Sequence, residues 1–374
     1  VNDEREAGGL VEGRVEDAPG RARLVRARLI RTGLVRARLR SQMLAGEPAR
    51  SPEDVAGRIL AIQAQDPRGA RLAIRARSTG LTAAGVDRAF SDDRSIVITW
   101  LNRGTLHLVR SEDYPWLHSL CAPRQIAWIQ TRLGQLGVAP DAAERGVRVI
   151  VDALGSEGPL TRAELVERLA RNDIPTAGQA IVHQIGLASL RGLIVRGPMR
   201  GREQCLVLVR DWLGDPPAFD YDRALAGLAR RYLAGHGPAT ERDLAYWTGL
   251  PVTVARAAFR AIASEAADVG DGLIDLAGRG QPPELPPPRL LGPFDPLLHG
   301  WSSRDPIVGR HGSLVTSNGI FRPMLLVQGR AAGTWGLAAG RVSLQPFEDL
   351  DGAVVAALES DARDVERYMK APGS

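Results

Sequence analysis

Along the chain, stretches with apolar residues at helical spacing give way to short runs in which apolar and polar residues alternate. Two helical stretches share a grammar. Gly158–Leu165 reads GPLTRAEL and Gly237–Leu244 reads GPATERDL: Gly-Pro closes a connection, Thr161 or Thr240 stands where an N-cap belongs, and Glu164 or Asp243 follows three residues later. The first is a capping box by residue type, the second a weaker aspartate form. After the first box, LVERLARNDI predicts one helix, Pro175-Thr176 breaks the chain, and TAGQAIVHQIGLASLRG predicts a second helix. LIVRGPMRGREQCLVLV then predicts a β-hairpin around a Gly/Pro/Arg turn. Helix, turn, helix, hairpin is the order of a winged helix-turn-helix. ATERDLAYWTGL, VTVARAAFRAIA and the short hairpin-like DVGDGLIDL repeat that order about eighty residues on, a spacing that suits tandem small domains better than a solenoid.

A weaker copy lies in front. SPEDVAGRILAIQAQ has Ser51 as N-cap, Pro52 at the first helical position, and Glu53 and Asp54 in the first turn. Ser95–Val109, SIVITWLNRGTLHLV, alternates as a hairpin turned at Asn102-Arg103-Gly104. Gln63 and Gln65 then fall at the far end of this unit's helix. Beyond residue 280, QPPELPPPRLLGP is an extended proline-rich connection. Asn318-Gly319 and Gln328-Gly329 follow between β-prone runs, which predicts antiparallel sheet, and DLDGAVVAALESDARDVERYM predicts a closing helix. The expected fold class is α+β, mainly α: tandem winged helix-turn-helix domains followed by a C-terminal β-barrel-like domain. The expected divisions are a disordered tail at 1–20, winged-helix domains at 21–140, 141–215 and 216–280, and the barrel-like domain with its terminal helix at 281–374. RARLVRARLIRTGLVRARLR, at 21–40, reads as a basic amphipathic helix divided at Gly33, with a solvated helix face as the alternative.

Composition narrows the class. The 374 residues are 44% hydrophobic and 24% charged, the balance of an ordinary soluble chain. Cys121 and Cys205 are far apart and fit no metal-ligand spacing, which suits a reducing compartment. No apolar run approaches the ~18 residues of a membrane span and no signal peptide is visible, so the expected location is the cytoplasm, on the nucleoid when DNA is bound. Net charge is +5 with a pI near 9.7, compatible with a polyanionic partner. Lys370 is the sole lysine, so the cations are arginines, the side chain suited to bidentate phosphate contacts; a GC-rich genome would give the same bias.

Much chemistry is excluded. A Walker A loop needs a lysine that the chain does not supply there. No CxxC, no HExxH and no tight cluster exists among His107, His118, His183, His236, His299 and His311, which read as surface or satisfied core residues. GWSSR, at 300–304, lacks the final glycine of a nucleophile elbow. No cofactor and no metal is expected. What stands out is LAIQAQDPRG, residues 60–69: an apolar run meets Gln63 and Gln65, two amides at a buried end, where each unpaired polar group costs ~1–3 kcal/mol. They are either satisfied within the fold or face a cleft.

LAIQAQDPR, NRGTLHLV, FDPLLHGWSSRD and NGIFRPMLLVQGRAAGTW, in that order, resemble the winged helix DNA-binding domain-containing family of AlkZ-like bacterial DNA glycosylases. The likeness runs from about residue 25 to 370. It implies three tandem winged-helix domains and a C-terminal β-barrel forming a concave body for double-stranded DNA that carries alkylated purines. It also implies a catalytic signature of Gln, an apolar residue, then Gln or Asp. Here that signature is Gln63-Ala64-Gln65, the double-glutamine form associated with antibiotic-producing actinobacteria and self-resistance. The implied activity is monofunctional hydrolysis of bulky cationic adducts of the N7-alkylguanine type, interstrand crosslinks included, by a chain acting as a monomer. A hairpin of the C-terminal domain is implied near DNA; within Val308–Asn318, Arg310 and His311 are candidate phosphate contacts. Arg103 and Arg322 are further ones, and for each the alternative is a fold ion pair or a solvated arginine. Ser302-Ser303 stands where the family leads one to expect an acid beside the arginine. The alternative function is a non-enzymatic winged-helix DNA-binding protein or regulator, with drug sequestration a third reading.

Two amides suffice chemically if the leaving base is already cationic, because it departs without protonation. An amide oxygen is too weak a base to deprotonate water but can accept from it and aim its lone pair at the anomeric carbon. In a regular helix residues i and i+2 diverge, so Gln63 and Gln65 can converge only if the backbone leaves the helix after Ile62; Pro67 favours such a break.

Overall fold

Thr161 and Thr240 both cap helices as complete capping boxes, Thr161 with Glu164 and Thr240 with Asp243. The computed structural model describes residues 32–201 and 203–370. The expected tail at 1–20 and the front of the basic segment at 21–40 lie outside the described residues. Residues 32–41 are helical, with Gly33 at the second described position; what precedes Thr32 in the basic segment lies outside the described residues.

The architecture is α+β and mainly helical. Ser51 caps helix Pro52–Ile59 by accepting from the Asp54 amide. β1 (Ile62–Gln63) follows, then helices Pro67–Arg75 and Ala83–Ser91, then β2 (Ile96–Trp100) and β3 (Leu106–Arg110), with Asn102–Gly104 as a 3-10 turn between them. Helices Tyr114–Cys121, Pro123–Gln135 and Pro140–Glu157 lead to Arg162–Ala170 and Ala180–Leu190 and to the hairpin β4 (Ile194–Arg200) and β5 (Glu203–Leu208). The last helix–helix–hairpin run is Glu241–Thr248, Val252–Ala261, β6 (Ala266–Asp268) and β7 (Ile274–Leu276), preceded by the long helix Tyr221–His236.

The first two hairpins are not separate wings. Ile98 of β2 pairs with Arg196 of β4, joining them into one antiparallel sheet in the order β1-β3-β2-β4-β5. The Thr99 and Ser189 hydroxyls meet 3.2 Å apart behind the seam. The sheet therefore crosses residue 140, and one apolar cluster runs from Val35 through Val97, Val195 and Trp247 to Met324.

Beyond the proline-rich connection, β8 (Arg289–Leu291), β9 (Met324–Val327), β10 (Arg330–Ala338) and β11 (Arg341–Pro346) form an antiparallel sheet in the order β11-β10-β9-β8. It is open, not a closed barrel, and helix Gly352–Met369 packs on it through Leu358, Val365 and their neighbours. Gln328 and Gly329, at φ 49° and 75°, supply the two left-handed positions of the tight β9–β10 turn. No helix among the described residues is long and apolar enough to cross a membrane.

Candidate active site

Gln63 reaches its position because helix Pro52–Ile59 stops short of the signature. Leu60, at φ 69°, leaves helical space, and Ile62 and Gln63 pair with Leu108 and His107 of β3. Asp66 then caps the next helix, accepting from the amides of Arg68 at 2.8 Å and Gly69 at 3.0 Å, with Pro67 in its first turn. The break falls at Leu60, earlier than the expected departure after Ile62. Extended backbone alternates its side chains, so Ile62 and Ala64 enter the core with Leu108 while Gln63 and Gln65 share the opposite side. This is how residues two apart converge.

The two amides bond each other: Gln63 Nε2 donates to Gln65 Oε1 at 2.5 Å. Gln63 is buried, at 6% exposure, whereas Gln65 is exposed. Arg103, in the β2–β3 turn, donates from Nη2 to Gln63 Oε1 at 3.3 Å. Its Nη1 donates to the backbone carbonyls of Trp247 and Tyr246, at the C-terminal end of helix Glu241–Thr248. Burial, and secondarily the Arg304 charge, lowers the Arg103 guanidinium from its ordinary value, while Tyr246 acts in the opposite direction.

Arg304 stands on the other side of Tyr246, whose ring lies 5.6 Å from the Arg103 guanidinium carbon and 5.8 Å from that of Arg304. Arg304 donates to the Leu298 carbonyl at 2.8 Å and to the Tyr246 hydroxyl, and it lies over the Phe321 ring at 5.0 Å. The hydrogen bonds that these arginines make go to neutral oxygens: backbone carbonyls, the Gln63 amide and the Tyr246 hydroxyl.

Two buried histidines adjoin them. His107 Nδ1 lies 3.0 Å from the Thr105 carbonyl, which only accepts, so Nδ1 carries the proton and Nε2 is a bare acceptor. Burial and then Arg103 depress His107 to about 3. His299 packs on Phe294 and Phe321, with ring centroids 6.0 and 4.0 Å away. Burial, then Arg103, Arg304 and His107, holds its pKa far below the ordinary value. Both rings are neutral at pH 7.

The other sequence-predicted residues lie apart from this group. Arg310 is 73% exposed and paired with Glu348, and His311 stacks on Phe347 at 4.2 Å. Both line a shallow cavity with Asp305, Ile307 and Arg330. Val308 ends a short helix, and the paired backbone falls later, where Val315 bridges Phe321. Arg322 is exposed and follows Phe321, its amide bonded to the Leu314 carbonyl at 2.9 Å. Ser302, in the position where an acid was expected, donates from its amide at 2.9 Å and its hydroxyl at 2.6 Å to Asp243 Oδ1. Burial would raise the Asp243 carboxyl, but the Ser302 and Thr240 hydrogen bonds and Arg38 together hold it low. Sequence reasoning missed His107, Tyr246, His299, Arg304 and Phe321 as members of the site. All but Tyr246 lie inside the quoted motifs; Tyr246 carries no local signal.

Comparison with known proteins identifies the family. A family model described as "DNA glycosylase AlkZ-like" matches residues 56–368, most of the chain. An "Interstrand DNA cross-link repair glycosylase" of Streptomyces sahachiroi is 31% identical over 365 residues, spanning 88% of this chain and 94% of that protein. The solved structure of Streptomyces sahachiroi DNA glycosylase AlkZ superposes with a TM-score of 0.72 at 26% identity, covering 90% of this chain and 96% of the other. The chain belongs to the AlkZ-like DNA glycosylase family.

Proposed function

We propose that this glycosylase hydrolyses the N-glycosidic bond of bulky cationic alkylpurines in double-stranded DNA, N7-alkylguanines foremost, and also unhooks interstrand crosslinks. Gln63 and Gln65 are its catalytic residues. The observation that carries this reading is the amide pair itself, half buried and half exposed, set beside Arg103 with two neutral histidines at its back. Such a site has no ready proton for the leaving base, and a cationic base needs none. As the C1′–N bond breaks, its electron pair neutralises the purine. A water oxygen bonds to C1′, and its surplus proton passes to solvent. Gln65, exposed on the outer side of the pair, and the remaining lone pair of Gln63 Oε1 hold that water by hydrogen bonds. Holding the nucleophile in line contributes through orientation rather than proton abstraction.

The positive surroundings suit the phosphates flanking the lesion, with Arg304 beside Arg103 across Tyr246 and Arg322, exposed and outside this group, as a further candidate contact. The repeated helix–helix–hairpin order supports winged-helix units as the DNA-gripping body, with the protein acting as a monomer. Arg310 and His311 would reach DNA only at the margin, and Arg310 would first have to leave Glu348. The chain's one lysine, Lys370, follows the terminal helix, so a Schiff base that cleaves the strand would need an unusual amine, and an abasic site is the product. Resistance to a DNA-alkylating natural product is the corresponding biological role.

The test is direct. Duplex DNA carrying a single N7-alkylguanine, incubated with the protein and heated in alkali, should break at the lesion. The breaks should vanish with Gln63→Ala while binding persists. Wild-type protein inert on every cationic adduct would overturn the substrate assignment.

A further inference from the structure

We infer that Arg103 is a positioning residue: it fixes which way the amides of Gln63 and Gln65 point and ties that choice to helix Glu241–Thr248. The inference rests on the reading of the two glutamines as catalytic.

The argument begins with chemistry. A guanidinium has donors and no acceptor, so the Gln63 atom that meets Arg103 Nη2 at 3.3 Å must be the oxygen. Gln63 Nε2 is thereby turned toward Gln65, which can answer only with its own oxygen, 2.5 Å away. The Gln65 amino group then faces outward. One cation thus sets the orientation of both amides in series. Without it each amide could rotate by half a turn, and the outward face of Gln65 would alternate between donor and acceptor.

Arg103 is itself committed elsewhere. Its Nη1 is held by the carbonyls of Tyr246 and Trp247, in the last turn of the helix that Gly249 ends at φ 77°. A helix C-terminus presents unpaired carbonyls and the negative end of its dipole, so it is a fitting seat for a cation. The helix belongs to the third helix–helix–hairpin run, far from Gln63 in sequence, so that run helps to set the geometry of the pair. Arg103 also sits at φ 55°, ψ 20°, left-handed space that a non-glycine residue rarely occupies. Such backbone persists where its surroundings over-determine it, and here the surroundings are two carbonyls and a functional amide. A phosphate-gripping arginine has a different signature: a free guanidinium on an exposed stem.

The experiment compares Arg103→Met and Arg103→Lys with wild type on a duplex bearing one N7-alkylguanine. It measures the single-turnover rate at saturating protein, DNA affinity against salt, and the side-chain amide NMR signals of Gln63 and Gln65. The Met variant should turn over ~100-fold more slowly, the loss that misplacing a catalytic group by about an ångström produces. Its affinity and salt slope should match wild type, and the amide signals of both glutamines should lose their separate environments. Low-millimolar guanidinium should restore part of the rate, and Lys should fall between. A thermal melt verifies folding; because rescue by free guanidinium restores only a missing group, it separates lost positioning from lost fold. The inference is overturned if Arg103→Met keeps the saturated rate while its salt slope drops by about one, the mark of a lost phosphate contact. If wild-type protein proves inactive on every adduct, the catalytic reading fails separately. The NMR signals then decide alone: unchanged amides in the Met variant overturn the positioning role, and merged ones support it.

Discussion

Arg77 and Asp295 form an ion pair in which both side chains are completely excluded from solvent. Nη2 of Arg77 donates to Asp295 Oδ1 at 2.7 Å and to Gln42 Oε1 at 2.9 Å, while Nη1 reaches Asp295 Oδ2 at 2.9 Å. Gln42 passes the network on to the Gly235 carbonyl at 2.7 Å. Asp295 also caps the turn that leads to His299, accepting from the Leu297 amide. The pair thus pins the helix that follows the glutamine signature to the segment carrying His299 and Arg304.

Removing one partner of such a pair strands a buried charge, which costs more than the pair's net worth. Asp295→Ala should destabilise the protein by ~3–5 kcal/mol. Urea unfolding checks this; a loss under about 1 kcal/mol, the range of a surface bridge, would mean that solvent reaches the site.

The two glutamines should separate by stability as well as by rate. Gln63 is buried and accepts from Arg103, so Gln63→Ala leaves a donor short of a partner and should cost ~1–3 kcal/mol. Gln65 is exposed, and its replacement by Ala should move stability by less than about 0.5 kcal/mol. Both should lose glycosylase activity. Melting temperatures beside single-turnover rates test this, and equal destabilisation by the two variants would contradict the burial asymmetry.

How far the sequence disclosed this arrangement depends on the range of each interaction. Ser51, Thr161 and Thr240 announce their helices because an N-cap is a contact among neighbours three residues apart. Gln328-Gly329 announces a tight turn for the same reason. β1 is a different case. Its two residues become strand only because Leu108 and His107 are there to pair with them, and the alternation that brings Gln63 and Gln65 together follows from that pairing. The fusion of two hairpins through Ile98 and Arg196 has no local signature either. Arg304 meets Tyr246 across 58 positions of sequence, and a histidine such as His299 looks ordinary until two arginines and a phenylalanine surround it. Arg103 stood out in sequence as a candidate phosphate contact; that its Nη groups are taken by Tyr246, Trp247 and Gln63 had no local signal.

Acid should begin to destabilise this protein through its buried histidines. His107 and His236 are held neutral to about 3 by burial, with Arg103 adding for the first, Arg77 and Arg38 for the second. In the unfolded chain each binds a proton near the ordinary 6.5. Between those values the unfolded state carries more protons than the native one, so stability rises with pH and is lost as pH falls from about 6.5 toward 3. His299 acts in the same sense. Urea midpoints should therefore already drop between about pH 7 and pH 5, an interval in which Asp and Glu titrations contribute little. Identical midpoints at those two pH values would show that the native state takes up the protons.

Gly69 offers a test in which sign matters. It stands in the first turn of helix Pro67–Arg75, capped by Asp66 directly after Gln65. A Cβ there would lie 2.4 Å from the Pro293 carbonyl oxygen and 3.2 Å from the Pro293 ring, so helix and C-terminal segment would have to part. Gly69→Ala should cost ~1–3 kcal/mol as an overpacked contact, although alanine is the better helix former. Because the displaced turn carries Asp66, the cap and the adjoining Gln65 move with it, and the saturated rate should fall while DNA affinity holds. Gly134, on the exposed side of helix Pro123–Gln135, is the matched control: its Cβ would meet nothing within 4 Å. Gly134→Ala should instead stabilise by ~0.5–1 kcal/mol and leave the rate alone. Opposite signs from the same chemical change would place the cost of Gly69→Ala in the contact with Pro293; two stabilising substitutions would mean that the helix carrying the end of the signature does not rest on that segment.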